Sequence, residues 1–110
     1  MNVELDGQAT VGRWLTGLGS YWGGELPGRE VEARRQALRR FCAQVGETPD
    51  QMIETCLVDS GGGHRRAAAP AVRKYWGLIR EHARQHGQDD GRFLISFFVY
   101  NGVLMQAPGA

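Results

Sequence analysis

Apolar residues recur at helical spacing in several stretches of this sequence, and a glycine follows most of these stretches. Side chains three and four residues apart lie on one face of an α-helix, so the pattern predicts helices that each bury one face. It predicts long helices over residues 10–18, about 30–45 and 70–86, with a short helix between the last two. The fold class predicted from the residues is therefore all-α, with glycine-rich connections.

Local signals predict where these helices begin and end. Thr10 is the expected N-cap of the first helix, and Gly46 and Gly87 are expected to end the second and third long helices. The segment Thr48-Pro49-Asp50-Gln51 predicts the start of the short helix: threonine caps, proline suits the first helical position and glutamine reaches back to the N–H of the cap. The apolar faces of these helices predict that both cysteines lie in the core: Cys42 and Cys56.

The C-terminal apolar run, FLISFFVYNGVLM at 93–105, is compatible with two structures. An Asn-Gly pair between apolar residues is a strong hairpin signal. The same run is also typical of a helix that is buried on all sides. A lone hairpin is marginal unless it packs on helices, so the residues alone leave both structures open.

The connecting segments carry weaker signals. Residues 1–9 are expected to be flexible, and the aromatic pair Tyr21-Trp22 is expected to fold back on apolar surface. The basic segment 61–70, which contains Arg65 and Arg66, predicts a mobile loop. Arg34 falls within the apolar arc of its helix, so it is expected to meet a carboxylate or to extend its guanidinium to solvent.

The charge balance restricts the candidate partners. The 110 residues, a length typical of one domain, carry 13 basic and 12 acidic side chains, and all the basic ones except Lys74 are arginine. A net charge of +1 gives no global field for nucleic acid, so binding to a polyanion would require that the charges be segregated. No stretch has the roughly 20 apolar residues that span a bilayer, and MNVELDGQ is unlike a signal peptide, so we expect a cytoplasmic protein with no membrane partner.

A metal site is one further hypothesis. His82 and His86 stand at i and i+4, and Cys42 and Cys56 would complete four ligands. The cysteines lack close spacing and both histidines extend the apolar arc of their helix, so partly buried structural histidines are favoured. No cofactor or metal is expected, and the sequence contains no nucleotide-binding or nucleophile motif.

Two segments resemble a known family. LPGREVEARRQALRRFCAQVGETPDQMI, residues 26–53, is similar to the N-terminal core-binding (SAM-like) domain of tyrosine recombinases and phage integrases, with Leu26, Val31, Leu38 and Phe41 at the corresponding steps. The tail SFFVYNGVLM is similar to the end of the same domain. The resemblance implies that residues 1–110 form a single compact bundle of four to five helices, in which the final apolar run is a buried helix.

The resemblance also implies a function. The family's catalytic residues lie in a separate C-terminal domain, so this chain is expected to cut nothing by itself and to act as the DNA-binding module of a recombinase. Its partners would be double-stranded DNA and the catalytic domain of a longer parent chain, with self-association on DNA left open. The acidic Asp89 and Asp90 would repel phosphates.

Arginines on the flanks of two helices are the candidate phosphate contacts. Each guanidinium is a forked donor that suits phosphate, and the start of the second helix is the expected place for any sequence readout. The alternatives are a solvated face paired with Glu30, Glu32 and Glu81, and a helical protein-protein interaction module that keeps the fold without binding DNA. A helix-turn-helix regulator fits less well, because no second helix looks exposed enough to enter a groove. The DNA-binding candidates are Arg29, Arg35, Arg39, Arg40, Arg73, Arg80 and Arg84.

Overall fold

Helices account for most of the chain, as the apolar spacing predicts. The computed structural model describes residues 4–105, and within that range it has five helices and one two-stranded antiparallel sheet. The all-α prediction is therefore correct except for one hairpin. The elements are α1 (Ala9–Tyr21), α2 (Gly28–Val45), α3 (Pro49–Cys56), β1 (Leu57–Gly61), β2 (His64–Ala67), α4 (Ala69–His86) and α5 (Gln88–Tyr100).

The start of α1 differs from the prediction. Gln8 is the N-cap and provides no side-chain cap, so Thr10 lies inside the helix instead of capping it. Thr10 is buried and donates its hydroxyl to Asp50 of α3. The segment expected to be flexible is partly ordered, since Leu5 is buried in the core; residues 1–3 lie outside the described range.

The signals around α3 are confirmed. Gly46 ends α2 with a left-handed backbone, φ 81°, which a glycine adopts without strain. The Gln51 N–H donates to the Thr48 hydroxyl at 3.2 Å, and the Thr48 N–H donates to the Gln51 side chain at 2.8 Å. Pro49 occupies the first turn, where a missing N–H costs nothing. This short helix therefore begins as its sequence predicts.

The segment predicted to be a loop between α3 and α4 is a β-hairpin. β1 and β2 are antiparallel, with Leu57 opposite Ala67 and Val58 opposite Arg66. Gly61 ends β1 and the next two residues, both glycine, form the turn; all three have positive φ. All four residues of β2 are exposed, so neither strand shows the alternation of apolar and polar residues by which strands are recognised in a sequence.

The C-terminal apolar run forms a helix, as the resemblance implies, and not a hairpin at Asn101-Gly102. α5 follows α4 after the single residue Gly87 and packs against α4, α2 and α1. Asn101 caps the end of α5: its side-chain amide donates to the carbonyls of Phe97 and Thr10, and its oxygen accepts from Arg13. The Asn-Gly pair thus ends a helix because the asparagine has partners inside the fold.

One core joins all five helices. Trp14, Phe41, Tyr75, Phe97 and Phe98 are completely buried. Cys42 and Cys56 are free and buried, as predicted. None of the helices within residues 4–105 has the length and apolar character needed to cross a membrane.

Two single-residue predictions have opposite outcomes. Arg34 meets a carboxylate as expected: its guanidinium lies 2.7 Å from Glu30 and is stacked over the Phe93 ring. The prediction that Tyr21 and Trp22 fold back on apolar surface is wrong, since they are 82% and 50% exposed. Tyr21 is the last residue of α1 and Trp22 is its C-cap, and both lie beyond Gly19, the last buried residue of that helix.

Candidate nucleic-acid interface

One exposed face of α4 carries a line of arginines, Arg73, Arg80 and Arg84, which we call the α4 stripe. At about 100° per residue these three positions fall within an arc of about 40°, and they span about 16 Å along the helix. The buried residues Tyr75 and Ile79 lie on the other side of α4. The stripe therefore faces solvent over its whole length.

The stripe carries little compensating negative charge. Arg84 is paired with Glu81 at 3.1 Å, but both side chains are largely exposed. Such a pair contributes little stability and exchanges readily with other partners. Among residues 4–105, no carboxylate lies within 4 Å of the guanidinium of Arg73 or Arg80. Two of the three forked donors are thus available to an anion.

A shallow groove lies at the Arg80 and Arg84 end of the stripe. It has a volume of about 250 Å³ and is lined by Gly77, Arg80, Glu81 and Arg84. Gly77 occupies the gap between Arg73 and Arg80 on the same face. We call this feature the α4 groove; Gly77 adds no side chain to its lining, and the charged groups that line it are the guanidinium groups of Arg80 and Arg84 and the carboxylate of Glu81.

The α2 arginines are arranged differently. Arg35 is paired with Asp6 at 2.9 Å, and Arg40 with Asp90 at 2.7 Å. Arg29 is exposed and Arg39 is half-buried, and neither is paired with a carboxylate of the described residues. Two of the four α2 candidates are therefore already paired with carboxylates of the chain.

The two groups of arginines do not form one surface. His82 is an α4 residue that meets α2, with its ring 5.7 Å from that of Phe41 and its Nδ1 atom 3.4 Å from the Gln44 side chain. His82 lies about 180° around α4 from the stripe. α2 therefore lies on the side of α4 that is opposite to the stripe, and one straight ligand on the stripe would not reach α2.

Asp90 is not the exposed acid that the sequence suggests. Its carboxylate is buried and accepts from Arg40 of α2 and His82 of α4. Burial would raise the pKa of Asp90, but these two hydrogen bonds and the positive charge of Arg40 outweigh it, so the pKa lies below its usual value. Asp89 remains exposed and is paired with Arg92. Asp89 is thus the one acid of this pair that is exposed and could repel phosphates.

The histidines are placed only partly as predicted. His82 is completely buried, whereas His86 is exposed, with the two ring centroids 4.3 Å apart. The Nε2 atom of His82 bonds the Asp90 carboxylate at 3.0 Å. In the described part of the chain, no three His, Cys, Asp or Glu side chains are arranged to hold a metal ion.

Two further surfaces lie outside the predicted DNA-binding candidates. The hairpin presents Arg66 to solvent without a carboxylate partner among the described residues, while Arg65 is paired with Glu54 at 3.1 Å. The exposed Tyr21 and Trp22 lie next to a groove of about 430 Å³ that includes Leu15, Leu26 and Val31. The sequence predicts the opposite for this second surface, since the two aromatics were expected to be covered.

Comparison of the chain with protein-family models, with curated proteins and with solved structures finds no match. Functional inference therefore depends on the residues of the chain and on their arrangement in the fold.

Proposed function

We propose that this chain is a DNA-binding module that holds duplex DNA through phosphate contacts from the α4 stripe. The observation that carries the proposal is the alignment of Arg73, Arg80 and Arg84 on one exposed helix face, with Arg73 and Arg80 free of carboxylates within residues 4–105. Guanidinium groups present planar, paired donors that match phosphate oxygens. A rigid helix holds them in a fixed row, which suits a regularly charged backbone.

The arrangement favours positioning over sequence readout. Phosphate contacts fix a protein on a duplex but carry no base information. Arg29, at the exposed start of α2, is the candidate for any base contact, on a different side of the molecule. The near-zero net charge is compatible with this function because three of the positive charges lie together on the α4 stripe.

The resemblance of residues 26–53 and 93–105 to core-binding domains supports a more specific role. In that role the SAM-like module would clamp the recombination-site duplex for a site-specific tyrosine recombinase. A catalytic domain elsewhere in a longer parent chain would cut and rejoin the strands, and this module would break no bond itself.

The test is a binding titration by fluorescence anisotropy with a labelled duplex of generic sequence. Three phosphate contacts predict a slope of about −2.7 in log K against log salt, which weakens binding roughly 40-fold between about 50 and 200 mM salt. If no binding is detected at about 50 mM salt, the proposal is overturned.

Charge-matched variants locate the binding face. Arg73→Ala/Arg80→Ala is expected to weaken binding roughly tenfold and to reduce the salt slope by about 1.8. The control, Arg65→Ala/Arg92→Ala, removes the same charge from two exposed arginines that are already paired with carboxylates, and it should have a small effect. A larger loss in Arg35→Ala/Arg39→Ala than in the α4 pair would move the interface to α2.

A protein-interaction module is the second candidate, favoured by the exposure of Tyr21 and Trp22. Adjacent exposed aromatics are typical of interfaces. Sedimentation velocity at increasing concentration, with Trp22→Ser as the variant, tests whether this surface joins two copies of the chain. Self-association without affinity for duplex DNA would favour this candidate over the first.

A further inference from the structure

Gly77 is an unusual residue for its position. It lies in the middle of the 18-residue helix α4, on the exposed face, and a Cβ atom there would meet nothing within 4 Å. A glycine inside a helix is less favourable than alanine because it loses more backbone freedom on folding. Neither packing nor backbone geometry therefore explains why this residue lacks a side chain.

The surroundings of Gly77 point to a ligand. Arg73 lies one turn before it, and Arg80 and Arg84 lie one and two turns after it on the same face. The α4 groove is lined by Gly77, Arg80, Glu81 and Arg84. Glycine is common where a backbone must come close to a ligand. The open helix backbone is thus bordered by two guanidinium groups and the Glu81 carboxylate, with the guanidinium-bearing Arg73 one turn away.

We infer that a phosphodiester of duplex DNA binds in the α4 groove against the backbone at Gly77, between Arg73 and the pair Arg80 and Arg84. This inference rests on the proposed function and specifies where on α4 the DNA makes its closest approach. Any side chain at position 77 would hold the DNA backbone away from the helix and would lengthen the contacts to the flanking guanidinium groups.

The Glu81 carboxylate should oppose the binding of a phosphate at this site. It borders the α4 groove and pairs with Arg84 at 3.1 Å. A phosphate in the groove would take over Arg84 and would lie near the Glu81 carboxylate. Removal of that negative charge by Glu81→Gln should therefore tighten DNA binding about threefold.

The experiment measures stability and DNA affinity for the same variants. Gly77→Ala should raise the urea midpoint, because alanine favours the helix and has open space, yet it should weaken binding to the generic duplex roughly fivefold. Gly77→Gln should weaken binding further. The matched control is Gly12→Ala, since Gly12 is also an exposed helical glycine where an added Cβ atom would meet nothing within 4 Å, but it has no arginines around it in the same arrangement. It should raise the midpoint and leave affinity unchanged.

The results for these variants distinguish failure of the Gly77 contact from failure of DNA binding as a whole. Wild-type binding that is lost in Arg73→Ala/Arg80→Ala but unchanged in Gly77→Ala and Gly77→Gln would overturn this inference and leave the proposed function standing. A lower urea midpoint for Gly77→Ala would contradict the open space on which the inference depends. Failure of the wild-type chain to bind duplex DNA would overturn the proposed function and this inference with it.

Discussion

The Asp50 carboxylate of α3 caps the N-terminus of α1 through Thr10, which lies 40 residues earlier in the sequence. Asp50 accepts from the Thr10 N–H at 2.9 Å, from the Thr10 hydroxyl and from the Ala9 N–H. Gln8 completes the arrangement by accepting from the Asp50 N–H. Because the first N–H groups of a helix lack partners within the helix, this remote side chain replaces a local cap and joins α1 to α3.

Replacement of Asp50 should destabilise the fold. Asp50→Ala removes three hydrogen bonds to a charged acceptor and should lower the free energy of unfolding by about 2 kcal/mol. Urea denaturation of Asp50→Ala, Thr10→Ala and the double variant measures the interaction directly. A coupling energy below about 0.5 kcal/mol would show that the two residues do not act together.

Acid should remove the same cap. Burial would raise the pKa of Asp50, but the hydrogen bonds from Thr10 and Ala9 and the charge of Arg13 lower it below its usual value. A carboxyl group with a lowered folded-state pKa stabilises the fold above its unfolded value, near 3.9, and that contribution is lost as the pH falls through the folded value. Asp50→Asn should therefore be less stable than the wild-type protein at neutral pH, and it should lose less stability than the wild-type protein below about pH 4. Urea midpoints at a series of pH values provide the comparison.

The limits of prediction at the helix ends follow from where the capping partners lie. At α3 the threonine, proline and glutamine that cap the helix are all within four residues, so the sequence shows the whole arrangement. At α1 the partner is Asp50, and Thr10 looks like an ordinary N-cap until the tertiary contact is known. The hairpin escapes prediction for a different reason: its strands are short, only the first two residues of β1 are half-buried, and only the glycine turn leaves a signal.

At the candidate interface, too, local features can be predicted from the sequence and contacts with remote residues cannot. The spacing of Arg73, Arg80 and Arg84 places them on one face by helical geometry alone. The pairing of Arg35 with Asp6 and of Arg40 with Asp90 depends on residues 29 and 50 positions away. Periodicity therefore predicts which arginines share a face, but it does not show which ones are paired with a carboxylate in the folded chain.

His82 should make the fold sensitive to mild acid. Burial lowers the pKa of His82, with the charges of His86 and Arg40 acting in the same direction and the Asp90 carboxylate acting against them. Since the unfolded chain takes up the proton first, near pH 6.5, stability should fall progressively as the pH drops below that value. His82→Gln should flatten the profile of unfolding free energy between pH 7 and 5. The exposed His64, replaced in His64→Gln, serves as the control.

The two thiols should be unreactive in the native protein. Burial raises the pKa of Cys42 to about 12 and that of Cys56 to about 11, with the negative charge of Glu47 adding to both shifts. The thiolate is the reactive form, so a disulfide reagent should modify neither cysteine in buffer at neutral pH and both in denaturant. Modification of the folded protein at the rate of a free thiol would contradict the burial of both side chains.

The contact between α4 and α5 depends on the absence of a side chain at Gly91. A Cβ atom at that position would lie 2.9 Å from the Cβ atom of Ala83, closer than two carbon atoms can pack. Gly91→Ala should therefore force the two helices apart and lower the free energy of unfolding by about 1 to 3 kcal/mol. Ala83→Gly alone should lower the free energy of unfolding by about 1 kcal/mol through helix propensity. In the double variant the same change removes the clash, so the double variant should lose less stability than the sum of the two single losses. Urea denaturation of the four proteins measures this coupling, and strictly additive losses would mean that the helices adjust without strain.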